Sequence, residues 1–446
     1  MRRAVIAAVA TGILCASCTA SRVDPNATIS IDGTVARQGG APVVGGRVAL
    51  LREGDVGDVL LTISSIGVAC LNGTNAPANC HNARITSTGA GGAFGYTLKG
   101  RETQSTFGFS AVLNLTTQLD ARPDEVAGPS TTYRFHVQTK TLDLPIRLWE
   151  PMLAARTGSF GAQVSFPGLP VGLLPRPVRA TPQYTIDFAR GDEIVWELAG
   201  ARTAATFDPR LLEDSTGTVR SIASASNIHT SEQLGDEVAY ALRSGARPYE
   251  SPVGPPPSRG KGCSVVDWQG KNHVLSPCRL TDGDFHQTLS PDLCAGATGC
   301  TEPSLAAAIV DLGSVVRADL IVLRGCDNGC RVETSTDGRR WASAGVTQES
   351  DASFAINPRP ARFVRVLSSS IDQLTELSVW AGKPRLPNAS FLISPAQFAT
   401  TGGTRTRSET SGHRFLWFVV IAAVLLGGVA GAAAMLVARD RKRGAF

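Results

Sequence analysis

Along most of this chain apolar and polar residues alternate in short runs cut by glycine and proline, and near the end the alternation gives way to one long apolar block. Ile29-Ser30-Ile31-Asp32-Gly33-Thr34-Val35 reads as a half-buried strand, because successive side chains of a strand point to opposite faces. Gly39-Gly40-Ala41-Pro42 predicts a turn, and Gly46 to Leu51 the next strand. Further strands are expected at Ile85–Thr88, Phe94–Leu98, Phe107–Leu115, Tyr133–Thr139 and Leu142–Trp149, with Phe94 in the core. Short strands spaced by turn residues predict an all-β sandwich over 27–150. From 151 to 243 the pattern is weaker: a strand at Phe160–Phe166, then Tyr184–Phe188 and Glu193–Leu198 as a hairpin around Arg190-Gly191-Asp192, which predicts a second, small sandwich with Trp196 in its core. Pro248, Pro252, Pro255, Pro256 and Pro257 predict a stiff linker over 244–261.

The strongest pattern occupies 262–382. Leu280-Thr281-Asp282-Gly283-Asp284, Ala308 to Gly313, Val332 to Gly338, Trp341, Ala361 to Val366 and Leu374 to Trp380 read as strands with turns at Asp-Gly and Leu-Gly. Val364 and Val366 then face one way and Arg365 the other. Trp341 is expected to cap the barrel interior, and Leu377–Trp380 to pair with an early strand. Residues 383–414 read as a polar tether.

The apolar block runs without a charge from Phe415 to Ala438. At about 1.5 Å per residue it spans a hydrocarbon core of ~30 Å as a helix. Arg439, Arg441, Lys442 and Arg443 follow within 439–446. At the other end, Met1-Arg2-Arg3, an apolar stretch and small residues form an export signal over 1–20, cut after Ala20. A second reading is a bacterial lipoprotein signal with Cys18 as the lipidated residue. Either signal predicts a single-pass plasma-membrane protein with its bulk outside and its basic tail in the cytoplasm. Charge agrees. The net +5 is accounted for by Arg2, Arg3 and the tail, which leaves 4–438 at formal zero and no footprint for nucleic acid.

Ten cysteines include Cys15 and Cys18 of the signal region. The others, Cys70, Cys80, Cys263, Cys278, Cys294, Cys300, Cys326 and Cys330, are read as disulfides between chain neighbours in that order, as suits an oxidising compartment. Zinc is the rival reading, but the intervals fit no paired C-x₂-C or histidine spacing.

Two resemblances refine the picture. IDGTV, APVVGGRVAL and GGAFGYTL resemble the carboxypeptidase regulatory-like, transthyretin-like sandwich, which implies that fold for 27–150. The second sandwich, 151–243, is expected to be of fibronectin-like type. LTDGD, VDLG, STDGRRW, ARFVRV and LTELSVW, in that order, resemble the coagulation factor 5/8 type C, or discoidin, family of galactose-binding-like jelly rolls. That resemblance implies loops at one end that bind carbohydrate, phospholipid head groups or protein. It also implies a structural Ca²⁺ held by Asp282, Thr288 and Glu376, with backbone carbonyls completing the shell. The usual tryptophan soon after the loop threonine is absent, and the Cys294–Cys300 insertion stands there.

Sugar binding needs an aromatic face with polar partners. Trp268, His286, Arg324, Asn328 and Arg331 are the candidates. None of the six histidines makes HExxH, and G-x-S-x-G is absent, so the expectation is not an enzyme. Sequons stand at Asn26, Asn72, Asn114 and Asn388. The chain is therefore expected to be an all-β, multidomain ectodomain ending in a discoidin-like jelly roll and one transmembrane helix. It would bind an envelope glycan or surface protein, or serve as an accessory subunit of a membrane complex, with an exported hydrolase whose site lies in 27–250 as the third alternative.

Overall fold

The computed structural model describes residues 21–52, 71, 83–104, 111–159, 161–170, 172–173, 181–191, 193–200, 202–228, 238–285, 287–289, 305–326 and 328–401. The expected signal with Cys18, the cysteines Cys70, Cys80, Cys294 and Cys300, His286, and the apolar block with its basic tail lie outside these residues. Among the described residues no helix is long and apolar enough to cross a membrane.

The chain is all-β. Its first strands are β1 (Thr28–Ala36), β2 (Arg47–Arg52), β3 (Arg84–Ser87), β4 (Ala93–Lys99), β5 (Val112–Gln118), β6 (Ser130–His136) and β7 (Thr141–Arg147). Then come β8 (Ala154–Gly158), β9 (Gly161–Ser165), β10 (Gln183–Arg190), β11 (Glu193–Gly200), β12 (Ala204–Phe207), β13 (Thr216–Ile228), β14 (Val238–Arg243) and β15 (Arg247–Glu250). The last group is β16 (Cys263–Asp267), β17 (Asn272–Leu275), β18 (Leu305–Arg324), β19 (Cys330–Ser335), β20 (Ala342–Thr347), β21 (Ala352–Leu367) and β22 (Glu376–Ala381), followed by a short helix α1 (Pro395–Thr401).

The alternation that predicted β1 and β4 does what it should. Phe94, Tyr96 and Leu98 of β4 are buried while their neighbours are exposed. Phe94 fits only because Gly33 lies across from it: a Cβ there would stand 2.6 Å from the ring and 2.2 Å from the Leu144 carbonyl.

The boundary expected at 150 is corrected. A nine-stranded sheet runs β11-β10-β13-β14-β6-β5-β2-β3, with β15 on β13, so strands from both expected sandwiches share it. The join is the antiparallel pair β6–β14, in which Tyr133 faces Tyr240 and Thr132 faces Ala241. Two three-stranded sheets, β4-β1-β7 and β12-β9-β8, accompany it. A single hydrophobic core links Ile29 and Leu115 to Ile186 and Tyr249. The other face of the large sheet is buried but polar, with Asn114, Thr116, Thr132, His136, Asp187 and Arg243 each under a tenth exposed. Asn114 is fully buried in β5, so its sequon cannot carry a glycan on the folded protein.

The linker and tether are corrected as well. β15 lies within 244–261 and pairs with β13. Val253 is buried in a cluster with Leu320, Val322 and Trp380, against which Leu211 and Leu386 pack. Thr157 donates its amide to the Ala389 carbonyl at 2.8 Å, and Phe391 is buried in the first core. Isolated apolar side chains among prolines and polar residues were enough to hold these segments down.

Residues 263–381 form a seven-stranded unit, β17-β16-β18-β21-β19-β20 with β22 on β18, around its own core of Val265, Leu280, Val310, Ile321, Val364 and Val379. Val364 and Val366 point inward and Arg365 outward, as the pattern predicts. Two expectations are corrected. Trp341 is half-buried on the outside, under the Arg365 guanidinium at 4.2 Å, instead of capping the interior. The closing strand β22 pairs with the second half of β18, Ala318–Arg324, and not with an early strand. The unit's ends still meet, because the Val379 amide donates to Ser258 Oγ at 2.9 Å. Disulfides Cys263–Cys278 and Cys326–Cys330 are formed as expected.

Candidate functional site

The seven-stranded unit holds the predicted site residues that are described, in loops and at strand ends, and the fold sorts them into two groups. One group is sewn to the first body. Arg324, at the end of β18, is only 4% exposed. Its guanidinium pairs with Glu213 at 3.2 Å, donates to the Val195 carbonyl and lies 4.7 Å over the Phe285 ring. Glu213 follows the tight turn Pro209–Leu212 and is fully enclosed. Ser378 Oγ stands 3.1 Å from Glu213 and 3.3 Å from Glu376. Glu376 accepts the Gly283 amide at 3.0 Å, and the Arg259 guanidinium approaches it to 3.5 Å while binding Asp214 at 2.8 Å. Gly283, at φ +81°, has no room for a side chain beside Arg259, and its carbonyl accepts from Arg190 at 2.7 Å. Arg190 of the Arg-Gly-Asp triplet is thus committed to this seam. A second buried arginine, Arg210, binds Asp208 at 2.6 Å, Asp319 at 2.7 Å and the Gly382 carbonyl at 3.0 Å.

Electrostatics follow from this burial. Loss of water pushes the Glu376 carboxyl up to about 8, and the Glu213 charge adds to the rise; Arg259 and the Gly283 amide oppose it. Burial also raises Glu213, against the pull of Arg324. One serine hydroxyl carries one proton and faces two carboxyl groups, which suits a proton held on Glu376.

These residues do not fit the expected calcium site. Glu376 is occupied by an amide, a hydroxyl and a guanidinium, and a cation beside Arg259 would meet like charge. The exposed Asp282 carboxylate accepts the Asp284 amide at 2.7 Å, as a turn cap does. Thr288 is half-buried. Among the described residues no three Asp, Glu, His or Cys gather as metal ligands.

The second group is open. Trp268 is 61% exposed on the β16–β17 turn. Asp267 locks that turn by accepting the Gln269 and Lys271 amides at 3.0 and 2.8 Å and by meeting His273 Nε2 at 3.0 Å. Hydrogen bonds from His273 and the two amides hold Asp267 below the usual carboxylate range. Asn328 is exposed in the loop closed by Cys326–Cys330, and Arg331 reaches Glu333 at 3.2 Å. The register Val266↔Ala307, Ala307↔Leu367, Leu367↔Arg331 sets the Trp268 turn and the Asn328 loop at one end of the sheet. Three strand spacings separate them, about 14 Å.

The sequence reading missed Glu213, Arg259 and Ser378. Nothing local marks them, because their role exists only where two bodies meet. Two clefts, of about 350 Å³ along the seam beside Arg210 and Asp319 and about 620 Å³ beside Val43 and Leu119, take in none of the predicted ligand residues.

No protein-family model matches the chain, and no curated protein does. Among solved structures, it is similar to a chitosan-binding module in complex with chitotriose, from a chitosanase/glucanase of Paenibacillus sp. IK-5. The identity is 16%, 28% of this chain and 99% of that one are covered, and the TM-score is 0.21. The lectin domain of lectinolysin complexed with Lewis B antigen is 15% identical, with 28% and 96% covered and a TM-score of 0.20. The crystal structure of SpGH29 is 19% identical at a TM-score of 0.21, and the match takes in 29% of this chain and only 28% of that one. Likeness of this size carries no ligand over to this chain.

Proposed function

We propose that this chain is a non-catalytic glycan-binding protein of the cell surface, and that the jelly roll 262–382 is its recognition module. The expected export signal and the apolar block at 415–438 would hold the β bodies outside the membrane. The observation that carries the binding reading is Trp268. A large indole 61% exposed on a turn fixed by Asp267 belongs to neither hydrophobic core, and it offers the rigid aromatic face on which a sugar ring stacks. Asn328, at the same end of the sheet, supplies amide hydrogen bonds.

The test is a pull-down of the full-length chain on insoluble envelope polysaccharide and on chitin, repeated with Trp268→Ala. The expected result is retention of the wild type and a loss of at least about tenfold in the variant, with an unchanged melting temperature. Absence of retention, or equal retention of Trp268→Ala, would overturn the reading.

A second reading, an accessory subunit making protein contacts, draws on the exposed apolar residues Val274 and Val346, 79% and 65% exposed. Co-purification with one stoichiometric membrane protein, lost in Val346→Asp, would favour it. Purification without a partner would exclude it.

A further inference from the structure

The outer face of β19, β20 and β21 carries a concentration of arginine that neither the core nor the seam uses. Glu333 is shared by Arg365 at 2.6 Å and Arg331 at 3.2 Å, so two guanidinium groups stand on one carboxylate. Arg362 is matched by Asp311, with both bonds at 3.0 Å. Asp337 spends its carboxylate on the backbone amides of Arg339 and Arg340, both at 2.9 Å, and those amides hold it down to about 2. The Arg339 side chain has no partner among the described residues, and that of Arg340, 96% exposed, comes only within 3.9 Å of Asp337. Among the described residues Arg359 donates only to the Ser343 carbonyl, at 2.8 Å, and pairs with no carboxylate.

These groups form one surface. Glu333 faces Arg365 across β19–β21 and Ser343 across β19–β20, and Ser335 faces Phe363, against which Gly338 of the arginine turn packs. Six arginines therefore stand against three carboxylates, in a chain whose residues 4–438 are formally neutral. Charge has been segregated here. Arg365 stands over Trp341 at 4.2 Å and Arg362 over Phe363 at 4.9 Å, with their Nε and Nη2 donors on Glu333 and Asp311, so the charge left for a ligand is chiefly that of Arg339, Arg340 and Arg359.

We infer that this face binds an acidic polysaccharide, as a second contact surface distinct from the Trp268 turn. The surface is an open sheet and not a cleft, which suits an extended polymer carrying repeated anions. Charge complementarity selects its sign. The inference shares the extracytoplasmic placement of the glycan reading but does not rest on Trp268.

The test passes the full-length chain over immobilised polygalacturonate, with neutral dextran as the control. Retention is expected at about 50 mM salt and release by about 500 mM, since screening removes contacts between exposed charges. The combined variant Arg339→Ala, Arg340→Ala and Arg359→Ala should lose at least about tenfold in affinity, whereas Trp268→Ala should bind polygalacturonate as the wild type does. Arg339 and Arg340 are exposed and Arg359 is half-buried, so near-ultraviolet circular dichroism checks that the variant is folded, and the double variant Arg339→Ala, Arg340→Ala should show the same direction of loss. Failure of retention, equal retention on dextran, an unaffected triple variant, or binding to phosphatidylglycerol vesicles without binding to polygalacturonate would each overturn the inference. None of those outcomes touches Trp268 and neutral glycan, which the chitin pull-down decides separately.

Discussion

Arg324 and Arg331 flank the same disulfide loop, and the sequence offers them as equivalent ligand contacts. The fold treats them oppositely. Arg324 is enclosed against Glu213, a residue far upstream in the chain, whereas the Arg331 side chain is 55% exposed beside Glu333. The difference teaches that a family resemblance places loops but does not say which loops another body covers. Without the first body both arginines would meet solvent. Here the first body's β10–β11 hairpin and the turn before β13 close over one of them.

The comparison is broken most strongly by mutating its two members. Arg324→Ala leaves Glu213 buried without its partner and should cost about 3–5 kcal/mol in denaturant unfolding of the full chain. Arg331→Ala should cost less than about 1 kcal/mol, as exposed pairs do. Equal costs would mean that the seam contributes nothing. Next in size is the disulfide Cys263–Cys278, whose replacement by two serines should cost about 3 kcal/mol through the freed unfolded chain.

A smaller effect sharpens the seam's electrostatics. Folding raises the Glu376 carboxyl from 4.5 to about 8, so across that window the folded protein keeps a proton that the unfolded chain gives up. Stability attributable to this group therefore declines as pH rises from 4.5 to about 8 and is level above it, at no more than about 1.4 kcal/mol per pH unit. Glu376→Gln, which mimics the protonated form, should lessen that decline. A variant with the wild-type slope would show that the proton is held elsewhere. The smallest expected effect is that of calcium. Because Arg259 supplies the positive charge beside Glu376, chelator and millimolar Ca²⁺ should leave the melting temperature where it is.

Much of the fold was legible because alternation reports a strand with one wet face. β1, β2, β4 and β7 fall where the pattern put them. β13 and β14 escaped notice because the second face of their sheet is polar yet buried. Arg243 and, on the neighbouring β10, Asp187 look like surface residues in the sequence and are 6% and 4% exposed. The shared nine-stranded sheet was invisible for the same reason, since Thr132 and Ala241 carry no signal that they will pair. At the site, Trp268 was legible as an aromatic beside a turn, and Glu376 as a late acidic residue of the jelly roll. What Glu376 does was not legible, because it depends on Glu213 and Arg259, which nothing in the local sequence ties to it.

The central claim is that the docked seven-stranded unit leaves Trp268 free to take a sugar. Oxidation of exposed indoles by N-bromosuccinimide, read peptide by peptide by mass spectrometry, tests it most directly. The account predicts that Trp268 reacts before the buried Trp149 and Trp380 in the free protein, and that a bound envelope polysaccharide protects it. A Trp268 that reacts at the same rate with and without saturating polysaccharide would contradict the account.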